Sequence, residues 1–238
     1  MKILATLFVI VCAGTFATLP GALGQNTANP PSVATSPVAA PANPTQNGVA
    51  APNEAEMMKQ MMELSKLNEN HKLLADTTGT WNYTVKMWMN PDPNAKPQQS
   101  KGTATRKMTM NGRYLVGDYT GAMPMPGPDG KMKSVTFKGM GMEAYDNVKK
   151  KFVATWVDNM GTGIEMSEGT YDPSSKSFTY TAEVEPMPGM KSQVREVLTL
   201  ADKDHMSLEW YENQGSGEKK TMEINYTRAG KAEGSSKH

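Results

Sequence analysis

Cysteine and histidine are scarce in this chain of 238 residues. Its one cysteine, Cys12, lies in an apolar run near the N-terminus, and its three histidines are His71, His205 and His238. If the N-terminal run is removed, no thiol remains, which excludes disulfides, thiolate nucleophiles and thiolate metal ligands. The histidines form no His-x-x-x-His spacing, and neither a Ser-His-Asp arrangement nor a glycine-rich phosphate loop can be recognised. We therefore expect a protein that is not an enzyme and is stabilised by a hydrophobic core.

An excess of charge of either sign is also lacking. The chain has 25 basic and 24 acidic side chains, and loss of Lys2 with the N-terminal segment would leave 24 of each. A balanced surface produces no long-range field that attracts a nucleic-acid backbone or an anionic membrane. We therefore expect no nucleic acid among the partners of this protein.

No charged residue occurs between Ile3 and Asn53. The first part of this segment, residues 1–24, has Lys2, then an apolar run, then small residues that end at Gly24, which is the pattern of a secretory signal peptide. An uncleaved membrane anchor is the alternative, although the run is short for a bilayer span. We expect cleavage after Gly24, a periplasmic or secreted protein, and no stable membrane insertion after cleavage.

The second part, residues 25–53, consists mostly of Pro, Ala, Asn, Thr and Val. Such a segment has too little bulky apolar surface to offset the entropy lost on ordering, and its prolines favour extended conformers. We interpret it as a disordered tether, and residues 231–238 as a disordered tail. The folded domain is then expected to span residues 54–230.

This domain begins with apolar residues at helical spacing. They are Met57, Met58, Met61, Met62, Leu64, Leu67, His71 and Leu74, with Glu and Lys between them. The spacing predicts an amphipathic helix, with a break near residues 68–70, that lies against the rest of the domain.

From Thr80 onward the apolar residues alternate with polar ones, as is typical of strands with one buried face. Nine turn segments, such as NPDPNAKP, MPGPDGK and YDPSSKS, separate ten runs of this kind. Connections this short favour antiparallel neighbours and exclude crossover helices. Because sheets twist and open edges aggregate, we predict a mainly β fold: an up-and-down antiparallel β-barrel of about ten strands with a short N-terminal helix. A two-sheet sandwich is the alternative.

The two ends of the strand region contain a distinctive trio. Gly79 and Trp81 open the first strand, and Arg228 lies on the apolar face of the last one. Gly79 would permit a tight turn out of the helix, and Trp81 would cover one end of the lumen. A guanidinium on an apolar face needs a partner, so we expect Arg228 to stack on the indole within about 6 Å of its ring centre. These three residues are predicted to be structural.

Four segments resemble a known family. They are HKLLADTTGTW, YDNVKKKFVATWVDNMGTG, EGTYDPSSKSFTYTAE and MEINYTRAG. Together they resemble the bacterial domain-of-unknown-function family 1579 over about residues 57–229. The short helix, the Gly-x-Trp start and the terminal arginine resemble the calycin group of barrels, which includes lipocalins and fatty-acid-binding proteins. The resemblance implies a calycin-like barrel and brings no reaction or ligand, and the methionine content exceeds what the family pattern requires.

Alternation along the strands places charged and aromatic side chains on faces that would point inward. Arg106, Asp158 and Glu196 would bring charge into a lumen of aromatic and thioether groups. Buried charges are usually paired, so an internal ion-pair network is one interpretation, and orientation of a ligand headgroup or acid–base chemistry at Asp158 or Glu196 are others. The candidate ligand-binding residues are Arg106, Tyr119, Trp156, Asp158, Tyr180 and Glu196.

The chain has 20 methionines, several of them two residues apart. On a strand, residues i and i+2 share a face roughly 6.5 to 7 Å apart, so their thioethers, which prefer Cu(I), can converge. Met123 and Met125 in MPMPG, and Met187 and Met190 in MPGM, are the candidate metal ligands, and filling of an irregular interior is the alternative. Heme would need an axial ligand, for which His205 is the candidate, although its position after a turn is more typical of an exposed histidine.

Three functions remain open from the sequence. The first is a non-catalytic barrel that binds a small hydrophobic or amphipathic molecule and has no cofactor. The second is a methionine-based copper-binding or oxidant-buffering protein of the periplasm. The third is a structural or interaction module. Inward faces rich in aromatic and methionine side chains favour the first function.

Overall fold

A computed structural model describes residues 53–89, 94–215 and 217–230. The expected signal peptide 1–24, the tail 231–238 and all of the tether 25–53 except Asn53 lie outside the described residues. Two helices precede ten strands: α1 Glu54–Leu64, α2 Glu69–Asp76, β1 Gly79–Met87, β2 Gln98–Thr109, β3 Tyr114–Pro126, β4 Met132–Asp146, β5 Lys151–Asp158, β6 Glu165–Asp172, β7 Ser177–Met187, β8 Met190–Leu200, β9 His205–Asn213 and β10 Glu218–Arg228.

The ten strands form one closed antiparallel barrel in which each strand pairs with its neighbours in sequence. β1 and β10 close it, in a register that runs from Trp81 opposite Arg228 to Met87 opposite Met222. The prediction of an up-and-down barrel of about ten strands is confirmed, and the two-sheet sandwich is wrong. Because every connection joins neighbouring antiparallel strands, successive turns alternate between the two ends of the barrel.

The helical segment is divided in two, because Asn68 caps a second helix. α1 begins with a capping box in which Asn53 Oδ1 accepts the N–H of Glu56 at 3.0 Å and Glu56 accepts the N–H of Asn53 at 3.2 Å. α1 by itself buries none of its residues, and its methionines are exposed. A second capping box, made by Asn68 and His71, begins α2. Among the described residues, neither helix has the length and apolar character needed to span a bilayer.

One end of the barrel is closed by α2 and by large side chains. In an antiparallel barrel the starts of odd-numbered strands and the ends of even-numbered strands lie together. The buried apolar side chains at this end are Trp81, Leu115, Phe152, Phe178, Met206 and Tyr226. Leu74 of α2 is fully buried within the same core, and His71 packs edge-on against Tyr145 with ring centres 5.9 Å apart. We call this the closed end.

Candidate functional site

Trp81 and Arg228 form the floor of the barrel interior. The guanidinium carbon of Arg228 lies 4.2 Å from the centre of the Trp81 ring, which is within cation–π range. Arg228 Nη1 donates to the Thr78 carbonyl at 2.6 Å, and its Nε donates to the Lys203 carbonyl at 2.9 Å. The indole N–H donates to the Thr77 carbonyl at 3.1 Å, and Trp81 is 2 % exposed. The predicted stacking is therefore confirmed.

Gly79 fits this floor for two reasons. Its φ of +126° lies in a region that side-chain-bearing residues rarely adopt. A Cβ at this position would also collide with Nη1 of Arg228. The glycine thus permits both the turn from α2 into β1 and the close approach of the guanidinium.

The barrel encloses a cavity of about 310 Å³, to which all ten strands contribute side chains. All six predicted ligand-binding residues line it: Arg106, Tyr119, Trp156, Asp158, Tyr180 and Glu196. The six residues were predicted from alternation along the strands alone, and the structure places all of them around one cavity. Their role in binding stays a prediction.

Arg106 is a buried charged group of the cavity wall and is 4 % exposed. Its Nη2 donates to Glu143 at 2.7 Å and to the Thr77 hydroxyl at 3.1 Å, and its Nη1 donates to the Tyr119 hydroxyl at 3.0 Å. The Tyr180 hydroxyl donates to the second Glu143 oxygen at 3.3 Å. Nε of Arg106 has no hydrogen-bond partner, which is true of no other buried side-chain nitrogen or oxygen in the described part of the chain. Arg106 therefore forms an internal ion pair with Glu143, and not with Asp158 or Glu196 as the sequence suggested, and this pair leaves one donor unused.

Burial governs ionisation in this polar cluster. Burial raises the pKa of Tyr180 well above its usual range, and the neighbouring Glu143 adds to the effect. Burial likewise raises the pKa values of Tyr119 and Tyr226. Burial opposes the charge of Arg106, but Glu143 and the tyrosine oxygens outweigh it, so the pKa of Arg106 is raised. At neutral pH the cluster holds one ion pair and neutral phenols.

Asp158 contributes to the site through a turn. One carboxylate oxygen accepts the Trp156 indole N–H at 2.9 Å. The other accepts the backbone N–H groups of Met160 and Gly161 at 2.8 and 3.1 Å. These bonds shape the turn after β5 and hold the Trp156 ring, so the position of Asp158 is explained without a ligand.

Two other carboxylates in the cavity lack such partners. Glu165 and Glu196 have no hydrogen bond or ion pair with any of the residues that the structure describes. Burial, reinforced by Glu143 and Glu165, raises the pKa of Glu196 to about 7. The pKa of Glu165 is also raised, by partial desolvation and by Asp158 and Glu212, although its side chain is exposed at the start of β6. The cavity therefore contains two carboxyl groups without a partner, of which Glu196 is about half ionised at pH 7.

Sequence reasoning missed several polar or aromatic residues of the wall, among them Glu143, Glu165 and Trp210. In β4 the methionines were the visible alternating set, yet Met140 and Met142 are 47 % and 43 % exposed on the outer face. Glycines occupy the inner face of this strand, and a Cβ at Gly139 would collide with the Trp156 ring. The alternation Gly-Met-Gly-Met-Glu could have placed Glu143 inside if the glycine face had been recognised as the inner one.

The four candidate copper ligands lie at strand ends rather than in loops. Met123 lines the cavity, and Met125 follows on the same strand, β3. Met187 and Met190 are register partners across the β7–β8 hairpin. β5 and β6 separate this hairpin from the β3–β4 hairpin in the strand order. The structure thus supplies two methionine pairs, one on each hairpin.

His205, the candidate heme ligand, lies at the start of β9 and is not part of the cavity wall. Its Nδ1 is 3.0 Å from both carboxylate oxygens of Asp202, and its side chain is 40 % exposed. Within residues 53–89, 94–215 and 217–230, no three His, Cys, Asp or Glu side chains are arranged to hold a metal ion. The position of His205 is thus that of a turn histidine.

Comparison with known proteins gives a family and little more. A model of the family described as "Protein of unknown function (DUF1579)" matches residues 66–228. No protein with a curated description matches the chain. Among 13 matching chains of solved structures is a redesigned β-barrel with 18 % identity and a TM-score of 0.31, in a match that covers 69 % of this chain and 98 % of that one. At this TM-score the similarity supports no inference about function.

Proposed function

This chain belongs to the DUF1579 family, and we propose that it is a non-catalytic β-barrel that binds one small hydrophobic or amphipathic molecule in its lumen. The lumen itself carries the proposal, because it is closed at one end by Trp81 and Arg228 and has a volume of about 310 Å³. Binding cavities for small molecules begin at roughly 300 Å³ and combine apolar walls with a few polar groups. The lumen has this size and composition.

The unused donor of Arg106 supports an occupant with a polar atom. Buried N–H groups are nearly always hydrogen-bonded to protein, water or ligand. Nε of Arg106 lacks a partner among the described residues, although the other two nitrogens of this side chain are engaged. A ligand, or a water that accompanies it, would supply the missing acceptor.

We favour binding over catalysis because the polar side chains around Arg106 hydrogen-bond to one another. Arg106 and Glu143 form an ion pair, and Tyr119 and Tyr180 donate to or accept from that pair. Such a network orients a ligand group and holds the wall in one arrangement.

We also propose that the protein is exported to the periplasm or beyond and that it is related to calycin barrels. The pattern of residues 1–24 supports export. The arrangement of Gly79, Trp81 and Arg228 at the closed end supports the calycin relationship. N-terminal sequencing of the protein from its natural source should return Gln25 or a close neighbour, and retention of residues 1–24 would contradict export.

Native mass spectrometry of the purified protein tests lumen binding directly. We expect an organic molecule to accompany the wild type. Ala182→Phe, which places a ring inside the cavity, should remove that mass, whereas Thr181→Phe, at the adjacent exposed position, should retain it. An organic mass that survives Ala182→Phe would contradict binding in the lumen. Protein free of any bound mass would favour a structural or interaction module.

A second candidate function, Cu(I) binding or oxidant buffering, is favoured by Met187 and Met190. These residues are directly opposite each other across a hairpin, and Met187 is 47 % exposed. Two adjacent thioethers at an accessible position can bind a soft metal ion or react with an oxidant. A copper mass in the same experiment would favour this function.

A further inference from the structure

We propose that the polar end of the lumen ligand is a cation, an organic ammonium or amine group held between Glu165 and Glu196 against the indoles of Trp156 and Trp210. This inference rests on the proposed lumen-binding function and names the chemical class of the ligand. Three properties of the cavity support it: its acidic side chains, its aromatic surface and the lack, among the described residues, of three metal-ligating side chains that converge on one point.

The cavity wall has more acid than base. One basic side chain, Arg106, faces four carboxylates, which are Glu143, Asp158, Glu165 and Glu196. Glu143 is paired with Arg106, and Asp158 accepts three N–H groups of the turn after β5. Glu165 and Glu196 remain without a partner in the described part of the chain. Glu196 is partly buried, and an ionised carboxylate held away from water is costly unless a cation accompanies it, whereas Glu165 is exposed and adds its charge without that cost.

Each of these two carboxylates lies beside a tryptophan. Glu165 is the register partner of Trp156 across β5–β6, and Glu196 is the register partner of Trp210 across β8–β9. Both indole N–H groups are already used, by Asp158 at 2.9 Å and by Glu212 at 3.1 Å. Phe137 stacks on the Trp156 ring with ring centres 6.3 Å apart, so the indoles can offer a ligand only the rest of their ring surface and no donor. Ring faces next to carboxylates are the surroundings that proteins use to bind ammonium ligands.

The same geometry disfavours the two other kinds of charged occupant. A carboxylate ligand would add an acidic group to a lumen that already has four carboxyl groups, and the one arginine is paired with Glu143. A metal ion would need converging ligands, and no group of three His, Cys, Asp or Glu with that arrangement occurs in the described residues. An organic cation needs no such convergence, because the rings share its stabilisation.

A separate observation indicates that the cavity is built for an occupant. Arg106 is 4 % exposed, and its Nε is the unpartnered buried atom of the described structure. This donor belongs to the cluster that Arg106 forms with Thr77 and Glu143, and not to the carboxylate pair. An elongated molecule would satisfy both regions. Its cationic end would lie between the two carboxylates, and Nε of Arg106 would donate to an acceptor at the other end of the molecule or to a water beyond that end.

Three probes with the same eight-carbon tail separate the classes: octyltrimethylammonium, octanol and octanoate. We would titrate each into the full-length mature protein by calorimetry at pH 8, where Glu196, with a pKa of about 7, is largely ionised. The ammonium should bind at least about tenfold more tightly than octanoate, since a tenfold difference in affinity is the size expected of one modest charge interaction. The double variant Glu165→Gln with Glu196→Gln should lose about tenfold in affinity for the ammonium and stay within about twofold for octanol.

The matched control is Glu168→Gln with Glu209→Gln. Both of its glutamates form ion pairs with lysines and lie outside the cavity wall, so the net charge changes equally. This control should retain wild-type affinity for all three probes. Equal or tighter binding of octanoate, or equal losses in both double variants, would overturn the cationic ligand and leave lumen binding intact. Failure of all three probes to bind the wild type would overturn both proposals.

Discussion

The guanidinium carbon of Arg228 lies over the Trp81 indole, 4.2 Å from its ring centre, at the seam where the last strand meets the first. Its nitrogens also bind the carbonyl of Thr78, before β1, and that of Lys203, between β8 and β9. One side chain thus joins three parts of the chain that are distant in sequence. The stability of the closed end should depend on this residue pair.

Replacement of Trp81 tests the pair. Trp81→Ala is expected to lower the free energy of unfolding by about 3 to 5 kcal/mol, because it leaves a large cavity in a buried core. Arg228→Leu should couple to it in a double-mutant cycle by about 0.5 to 3 kcal/mol, as residues in contact do. Urea denaturation of the wild type and the three variants measures both values. Energies that add within error would contradict the stacking interaction.

Gly79 permits a second test of the same floor. Gly79→Ala should destabilise the protein, because it combines an unfavourable positive φ with a collision against Arg228. Gly189→Ala is the control, since Gly189 also has a positive φ of +81° but has open space around it. We expect Gly79→Ala to cost at least about 1 kcal/mol more than the control. Thermal melts that rank the variants in the reverse order would contradict this account.

Glu196 should make stability depend on pH. Its pKa is raised from 4.5 to about 7 in the folded protein, so the folded state holds the proton more tightly than the unfolded state. The stability that this tighter proton binding gives the fold is fully present below pH 4.5 and is lost as the pH rises to 7 and above. Glu196→Gln should therefore have little effect near pH 4.5 and should stabilise the fold by about 1 to 3 kcal/mol at pH 8, the range allowing for water in the lumen.

A glutamate whose pKa is lowered in the folded protein serves as the comparison for this pH profile. Glu168, on the outer face, accepts hydrogen bonds from Lys149 and Lys151, which lower its pKa to about 2. Glu168→Gln should thus give no gain of stability at pH 8. The ionisable groups that share the lumen with Glu196 are Tyr83, Arg106, Tyr119, Glu143, Asp158, Glu165, Tyr180 and Tyr226. A profile for Glu196→Gln that is flat from pH 4.5 to 8 would show that Glu196 is not desolvated.

The methionine hypothesis is tested by a fourfold change. If Met123, Met125, Met187 and Met190 bind Cu(I), their joint replacement by Leu should abolish metal uptake. Stability should change little, because Leu preserves the apolar volume. Competition against a soluble Cu(I) chelator measures the affinity. Equal competition for the wild type and the variant would end the copper hypothesis.

Local chemistry made part of this structure predictable. Alternation placed Arg106, Trp156 and Glu196 each on one face of its strand, because the side-chain period of a strand is fixed at two, and the structure shows that these faces point inward. The pairing of Trp81 with Arg228 followed from one unusual residue, a guanidinium on an apolar face. These inferences needed no knowledge of how far along the barrel each strand lies.

Position along the barrel is what the sequence could not provide. Arg106 meets Glu143 because β2, β3 and β4 are staggered by their turns, and the two residues are 37 positions apart. The local turn bonds of Asp158 also compete with its lumen role, and they depend on the backbone after β5. Alternation gives the face of a residue, whereas register and turn geometry decide its partner.

The seam between β1 and β10 has a consequence for the order of folding. The hydrogen bond from Arg228 to Thr78 spans 150 residues, whereas every other strand pair joins neighbours in sequence. Contacts of such separation carry the largest loop-closure entropy and tend to form late. Until β10 docks, β1 and β9 remain open edges that another chain can pair with. The seam between β1 and β10 is therefore also the place at which slow closure would leave nascent chains open to aggregation.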